Sequence, residues 1–209
     1  MVLSMLNFTR IDLLQMFGLA KYGDSFIFEI IDMIIMSLAI GYIFSGYLKR
    51  SMQENYDPLK HYNNKLWEDI KYAAIAAGPA VVLHELAHKF VAMAFGAKAI
   101  LFAPYGFYLL VIILKAIGFP FLFFVGGFVM HSPLPAIPSA IVSIAGPLMN
   151  LIMWYLLGIG MKNGMIQKKY YYIAIHLARI SIFLAIFNML PIPGFDGFNF
   201  LSSLFSGLF

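Results

Sequence analysis

No cysteine occurs among the 209 residues, which excludes disulfides, iron–sulfur clusters and thiolate zinc sites. Any metal the chain holds must therefore sit on His and carboxylate side chains. Charge is scarce as well. Only 11% of the residues are Asp, Glu, Lys or Arg, against about a quarter in ordinary soluble domains, too few to cover a globule of this size in water. With 62% of the chain hydrophobic, the composition predicts lipid as the solvent. The net charge of +4 is modest, and its Lys and Arg fall mostly between apolar runs. That pattern suits anionic lipid headgroups and argues against nucleic acid as a partner. The opening stretch MVLSMLNFTRIDLL lacks the basic-then-apolar order of a cleavable signal peptide, so insertion is expected to rest on internal spans.

Those spans can be placed from apolar runs and their breaks. Residues 1–25 read as a mildly amphipathic interfacial lead-in. A first span is predicted from about Phe26 to Leu48, followed by a hydrophilic loop to Lys71 with a turn at Asp57-Pro58. A second span covers about Tyr72 to Phe95. The stretch Ala97–Tyr105 reads as a short strand or loop. From Gly106 to Met130 the chain is apolar but interrupted by Lys115, Gly118, Pro120 and Gly126-Gly127. It is either a broken span or a re-entrant hairpin, which needs protein or a cavity around its backbone. Pro133, Pro135 and Pro138 stiffen the next connection, and two further spans follow at about Ser139–Met161 and Tyr170–Leu190. The expected fold class is an all-α polytopic membrane protein, a bundle of about five or six transmembrane helices with a re-entrant or β-hairpin-like segment. It forms a single domain over residues 1–209, with a motif-bearing core at 72–197.

Chemistry enters with His84-Glu85-Leu86-Ala87-His88 on the second span. At 3.6 residues per turn the two histidines lie on one face, one turn apart, and can share an ion. Glu85, about 100° around the helix, can reach a water on that ion without having to bind it. A lone intramembrane histidine would suit packing or hydrogen bonding. Three ionisable groups within one turn would cost about 2.5–3.5 kcal/mol each at a helix centre without partners, which favours a metal site. A catalytic zinc site takes three protein ligands and keeps a position for water. Candidates for the third ligand are Asp196, His131, His176 and His61. Asp196 is the sole acidic residue after Glu85. It lies in the stretch from Asn188 to Gly197, where Pro191, Pro193 and Gly194 predict an unwound backbone at membrane depth. Such a break makes sense if it aims a carboxylate at an ion. The plainer reading makes Asp196 the cap of a final helix.

HELAH on a membrane span, GPLMN at 146–150 and NMLPIPGFDG at 188–197, in this order, resemble the site-2 protease family of intramembrane zinc metalloproteases, in particular its compact archaeal and other prokaryotic members. The resemblance covers about Tyr72 to Gly197. It implies one zinc ion on His84, His88 and Asp196, with Glu85 as general base and an active site nearer the cytoplasmic side. It also implies cleavage of single-span membrane proteins, hence a multi-pass protein of a prokaryotic cell membrane. Asn150 and Asn188 are candidates to donate to the scissile carbonyl as negative charge develops on it. Helix–helix hydrogen bonding is the plainer role for each.

Other polar residues receive structural expectations. Lys89 is expected to snorkel toward an interface, Arg179 and His176 to pair with Glu29 or Asp32, and Lys115 to sit at a re-entrant or interfacial position. His131, before the proline-rich turn, is expected at an interface and is the reserve ligand. Two rival functions differ from a protease. A metal transporter or scaffold would be expected to show further ligands along a path, and the acid-free stretch between Glu85 and Asp196 argues against one. A membrane-embedded zinc hydrolase acting on a lipid or a prenylated protein is the other. Charge asymmetry between the loops fixes orientation only weakly.

Overall fold

The computed structural model describes residues 26–48, 65–119 and 126–208. The predicted interfacial lead-in, most of the hydrophilic loop and His61 lie outside the described residues. In chain order the elements are α1 (Phe26–Phe44), α2 (Lys65–Ala94), β1 (Ala99–Phe102), α3 (Tyr105–Ala116), β2 (Phe128–His131), α4 (Ala136–Lys162), α5 (Tyr171–Asn188) and α6 (Asp196–Leu208). Among the described residues four helices, α1, α2, α4 and α5 with its preceding turn, are long and apolar enough to cross a membrane. The protein is an all-α polytopic membrane protein with one small two-stranded sheet.

In the segment read as a broken span or a re-entrant hairpin, the described helix is too short to cross. Its helix α3 has 12 residues, about 18 Å at 1.5 Å per residue, against a hydrocarbon core of about 30 Å. The chain then returns as β2, which pairs antiparallel with β1 in the register Ala99 with His131 and Phe102 with Phe128. Leu101 and Phe102 of β1 are buried, so that end of the strand is packed into the protein. The strand at 99–102 falls within the stretch that reads in sequence as a short strand or loop.

Helix α2 begins seven residues before the expected start. Its polar first turns, tied by the Glu68–Lys71 pair at 2.5 Å, extend a 30-residue helix of about 45 Å past the apolar core. It stops at Gly96, whose φ of 81° lets the Ala97 N–H reach back to the Ala92 carbonyl at 3.1 Å, a left-handed glycine cap. The α1–α2 contact is built on small residues. A Cβ on Gly41 would lie 2.6 Å from the Ile70 carbonyl oxygen and 2.8 Å from Ala74 Cβ, so the backbones meet directly. Ala73, Ala76, Ala77 and Ala80 are all fully buried on α2.

Charged groups inside this packing are paired. Lys89 does not snorkel. It is buried and forms an ion pair with Glu29 of α1, because it lies on the α2 face turned toward α1. Glu29 is therefore taken by Lys89 in place of the expected Arg179 or His176. The hydroxyl of Tyr105 donates to Asp32. His176 packs edge-on against Tyr72, with ring centroids 6.0 Å apart, while Arg179 is exposed. Lys115, at the end of the re-entrant helix α3, reaches the C-terminal end of α1. It donates to the carbonyls of Tyr42 and Ile43, to the Ser45 carbonyl at 2.8 Å and to Ser45 Oγ at 2.8 Å. A cation there satisfies carbonyls that the helix leaves open and complements its dipole.

Candidate metal centre

Three elements bring the donors together. His84 and His88 project from one face of α2, with ring centroids 4.8 Å apart. Asp196 opens α6, after a break that the prolines at 191 and 193 and Gly194, with φ of 98°, impose on the chain. Gly197 is needed for that turn, since a Cβ there would run into the Met189 backbone and lie 2.9 Å from the Leu190 carbonyl oxygen. Asp196 is thus the first residue of the final helix, one position past the cap that the plainer reading made it, since the Asn199 N–H bonds to the Phe195 carbonyl at 3.2 Å, and its carboxylate is aimed inward. Its Oδ2 lies 3.0 Å from His84 Nε2 and 3.3 Å from His88 Nε2, and the two nitrogens are 3.1 Å apart.

This triangle fits a metal ion. Zinc bonds of about 2.0–2.2 Å in tetrahedral geometry place neighbouring donor atoms about 3.3 Å apart, within a few tenths of an ångström of all three edges. Two imidazole nitrogens and one carboxylate oxygen form the donor set that a chain without cysteine can offer. Helix α4 leaves the room. A Cβ on Gly146 would fall between the imidazoles, 2.5 Å from His84 Nε2 and closer still to His88 Nε2, so the absent side chain keeps open the space an ion needs. The far ring nitrogens are also engaged. His88 Nδ1 donates to the Val142 carbonyl at 2.7 Å, leaving the Nε2 lone pair free for a ligand bond. The buried Asn150 amide meets His84 Nδ1 at 3.0 Å.

Glu85 is buried beside the triad, and the backbone at Gly127 packs against its side chain. A Cβ on Gly126 would lie 3.0 Å from Glu85 Oε1, and one on Gly127 3.2 Å from Glu85 Cγ. The chain entering β2 thus lies directly against this carboxylate because it has no side chains there. Tyr108 holds the same segment by donating to the Gly126 carbonyl at 3.1 Å. His84, Glu85, His88, Asp196 and the glycine pair face a cavity of about 340 Å³, whose wall also includes His131, Ser143, Asn188 and Asn199.

The structure brings His84, Glu85, His88 and Asp196 together, and Asn188 lines the same cavity. His131 lines it too, with Nδ1 bonded to the Ser132 carbonyl oxygen at 2.9 Å, but stands outside the ligand triangle. His176, against Tyr72, is also outside it. Sequence reasoning missed Gly126, Gly127, Ser143 and Asn199. The glycine pair was noticed only as a break in an apolar run. Asn199 stands three residues after Asp196, one helical turn along α6, and that spacing was the signal for it.

Fold and site together define a helical membrane protein with a buried His-His-Asp cluster suited to a metal ion and a carboxylate beside it. A protein of Methanocaldococcus jannaschii named "Putative zinc metalloprotease" is 34% identical over 170 residues, which cover 81% of this chain and 81% of that protein. The chain belongs to the same family as this archaeal protein. No protein-family model matches the chain, and no solved structure matches it.

Proposed function

We propose that the chain is an intramembrane zinc metalloprotease of the site-2 protease type, a multi-pass protein of a prokaryotic membrane that hydrolyses peptide bonds of single-span membrane proteins. The observation that carries this reading is the meeting of His84 Nε2, His88 Nε2 and Asp196 Oδ2 within 3.3 Å of one another beside the buried Glu85 carboxylate. Zinc on these three donors would supply Lewis acidity, polarising a peptide carbonyl and making water a better acid. Glu85 takes the proton of the attacking water and hands it to the departing amine. The chain at Gly126 and Gly127 packs against this carboxylate and limits where it can swing. Asn188, which lines the cavity, would donate to the carbonyl oxygen as charge grows there.

A helical substrate hides its carbonyls in its own hydrogen bonds, so it must unwind to be cut. Strand β2 is suited to receive the unwound chain. One edge of β2 is taken by β1, and Phe128, Val129 and His131 line the cavity, so strand addition to its other edge would lay the substrate beside Glu85. The M. jannaschii relative's name supports metalloprotease chemistry. A transporter is disfavoured, since the described residues gather one group of three metal-ligating side chains and no succession of them.

The test is zinc-dependent cleavage of a single-span reporter by the purified protein in lipid. Glu85→Gln should lower the rate about 10²- to 10⁴-fold, the usual contribution of a general base, while zinc stays bound. Cleavage by this variant at the wild-type rate would remove Glu85 from the mechanism. Stoichiometric zinc in His84→Ala would remove the site.

A further inference from the structure

Helix α4 contributes no metal ligand, yet residues 142, 146 and 150 present one stripe to both histidines, each one helical turn beyond the last. Val142 holds the far nitrogen of His88 through its carbonyl at 2.7 Å. Gly146 clears the space between the two Nε2 atoms. Asn150 meets the far nitrogen of His84 at 3.0 Å. We propose that Asn150 is a positioning residue that fixes His84 as the Nδ1–H tautomer and so presents its Nε2 to the metal, the service that the Val142 carbonyl performs for His88. This inference rests on the metal-site reading above and assigns Asn150 a different task from Asn188.

Three observations carry it. Asn150 is fully buried, so its amide must be satisfied within the protein. As placed, its nitrogen faces His84 Nδ1 and its carbonyl oxygen has no partner among the described residues. A half-turn of the amide exchanges the two ends with almost no movement of heavy atoms. The oxygen then accepts the proton of Nδ1 and is no longer without a partner, and the lone pair of Nε2 is freed for an ion. Finally, Asn150 is absent from the cavity wall that Asn188 lines. It touches the side of the His84 ring opposite the ligand atom, out of reach of a carbonyl bound on the far side. A hydrogen-bond acceptor behind a metal-bound imidazole fixes its tautomer and orientation and raises its basicity.

The experiment is zinc affinity of the full-length protein in lipid nanodiscs, measured by competition with a chromophoric chelator. Asn150→Ala should weaken zinc about 10- to 100-fold, the usual loss for such a partner. Asn150→Asp, whose carboxylate accepts the same proton, should stay within a few-fold of wild type or bind more tightly. Asn188→Ala should leave affinity unchanged. Zinc affinity of Asn150→Ala within twofold of wild type, with slower cleavage, would overturn the inference and return Asn150 to carbonyl stabilisation. Should the alanine variant fail to fold, Asn150→Asp decides alone, since a tenfold loss there is incompatible with a proton-accepting role. Wild-type protein that takes up no zinc would sink the metal-site reading and this inference with it, an outcome distinct from loss of the inference alone.

Discussion

Gly146 shows how much a missing side chain can decide. An alanine methyl there would overlap both imidazole nitrogens, far inside van der Waals contact, in space an ion would need. Gly146→Ala should therefore leave the purified protein folded but with zinc well below one equivalent by elemental analysis. Gly158→Ala, on the same helix with nothing within 4 Å of the added methyl, should keep full occupancy. Full zinc in Gly146→Ala would mean that α4 can back away from the site. The residues of the centre were unevenly legible in the sequence. His84, Glu85 and His88 declare themselves because helix periodicity alone places them together. Asp196 lies 112 positions from His84, and no local rule connects them. It was reached because the chain offers no other acid beyond Glu85. Gly146 and Val142 were not legible as site residues, since one acts by absence and the other through its backbone.

At the scale of elements, the α1–α2 contact combines close backbone packing with the buried Lys89–Glu29 pair. Removing one partner strands the other charge, at a typical cost of about 3–5 kcal/mol, whereas replacing both with apolar groups is often nearly neutral. Lys89→Met should therefore lower the unfolding midpoint in detergent markedly, and the double variant with Glu29→Leu should recover most of the loss. A double variant no better than the single one would show that the pair has another purpose. The sequence suggested partners for Glu29 on the last long span because Lys89, next to a motif, looked free to reach an interface. Its direction is set by the helix face that α1 covers, and one-dimensional reading does not give which helices are neighbours. The re-entrant hairpin was half visible for a related reason. β1 stands out as a short, less apolar stretch, but β2 is apolar on both sides, and only its pairing with β1 distinguishes it from a piece of span.

For the whole molecule, the donor triangle joins α2 to α6, elements far apart in the chain, with α4 packed against both sets of ligands. A metal bound there stabilises the native state in proportion to its excess over the dissociation constant, by about 4 kcal/mol at a thousandfold excess. Chelation should lower the thermal midpoint, and zinc should restore it in a concentration-dependent way. Amide exchange should rise most at the start of α6, which the ion would hold through Asp196. An unchanged midpoint after complete removal of metal would show that the bundle does not depend on the ion.

The carbonyl that anchors His88 has a consequence for how such a protein can drift. A backbone oxygen is present whatever residue is encoded at position 142, so no missense change there deletes the anchor. The support of His84 depends on a side chain and can vanish with a single codon. A library randomised at both positions and selected for zinc retention should accept a range of apolar residues at 142. At 150 it should narrow to side chains that can receive an N–H proton. Inheritance would guard one histidine through its neighbour's main chain and expose the other to mutation.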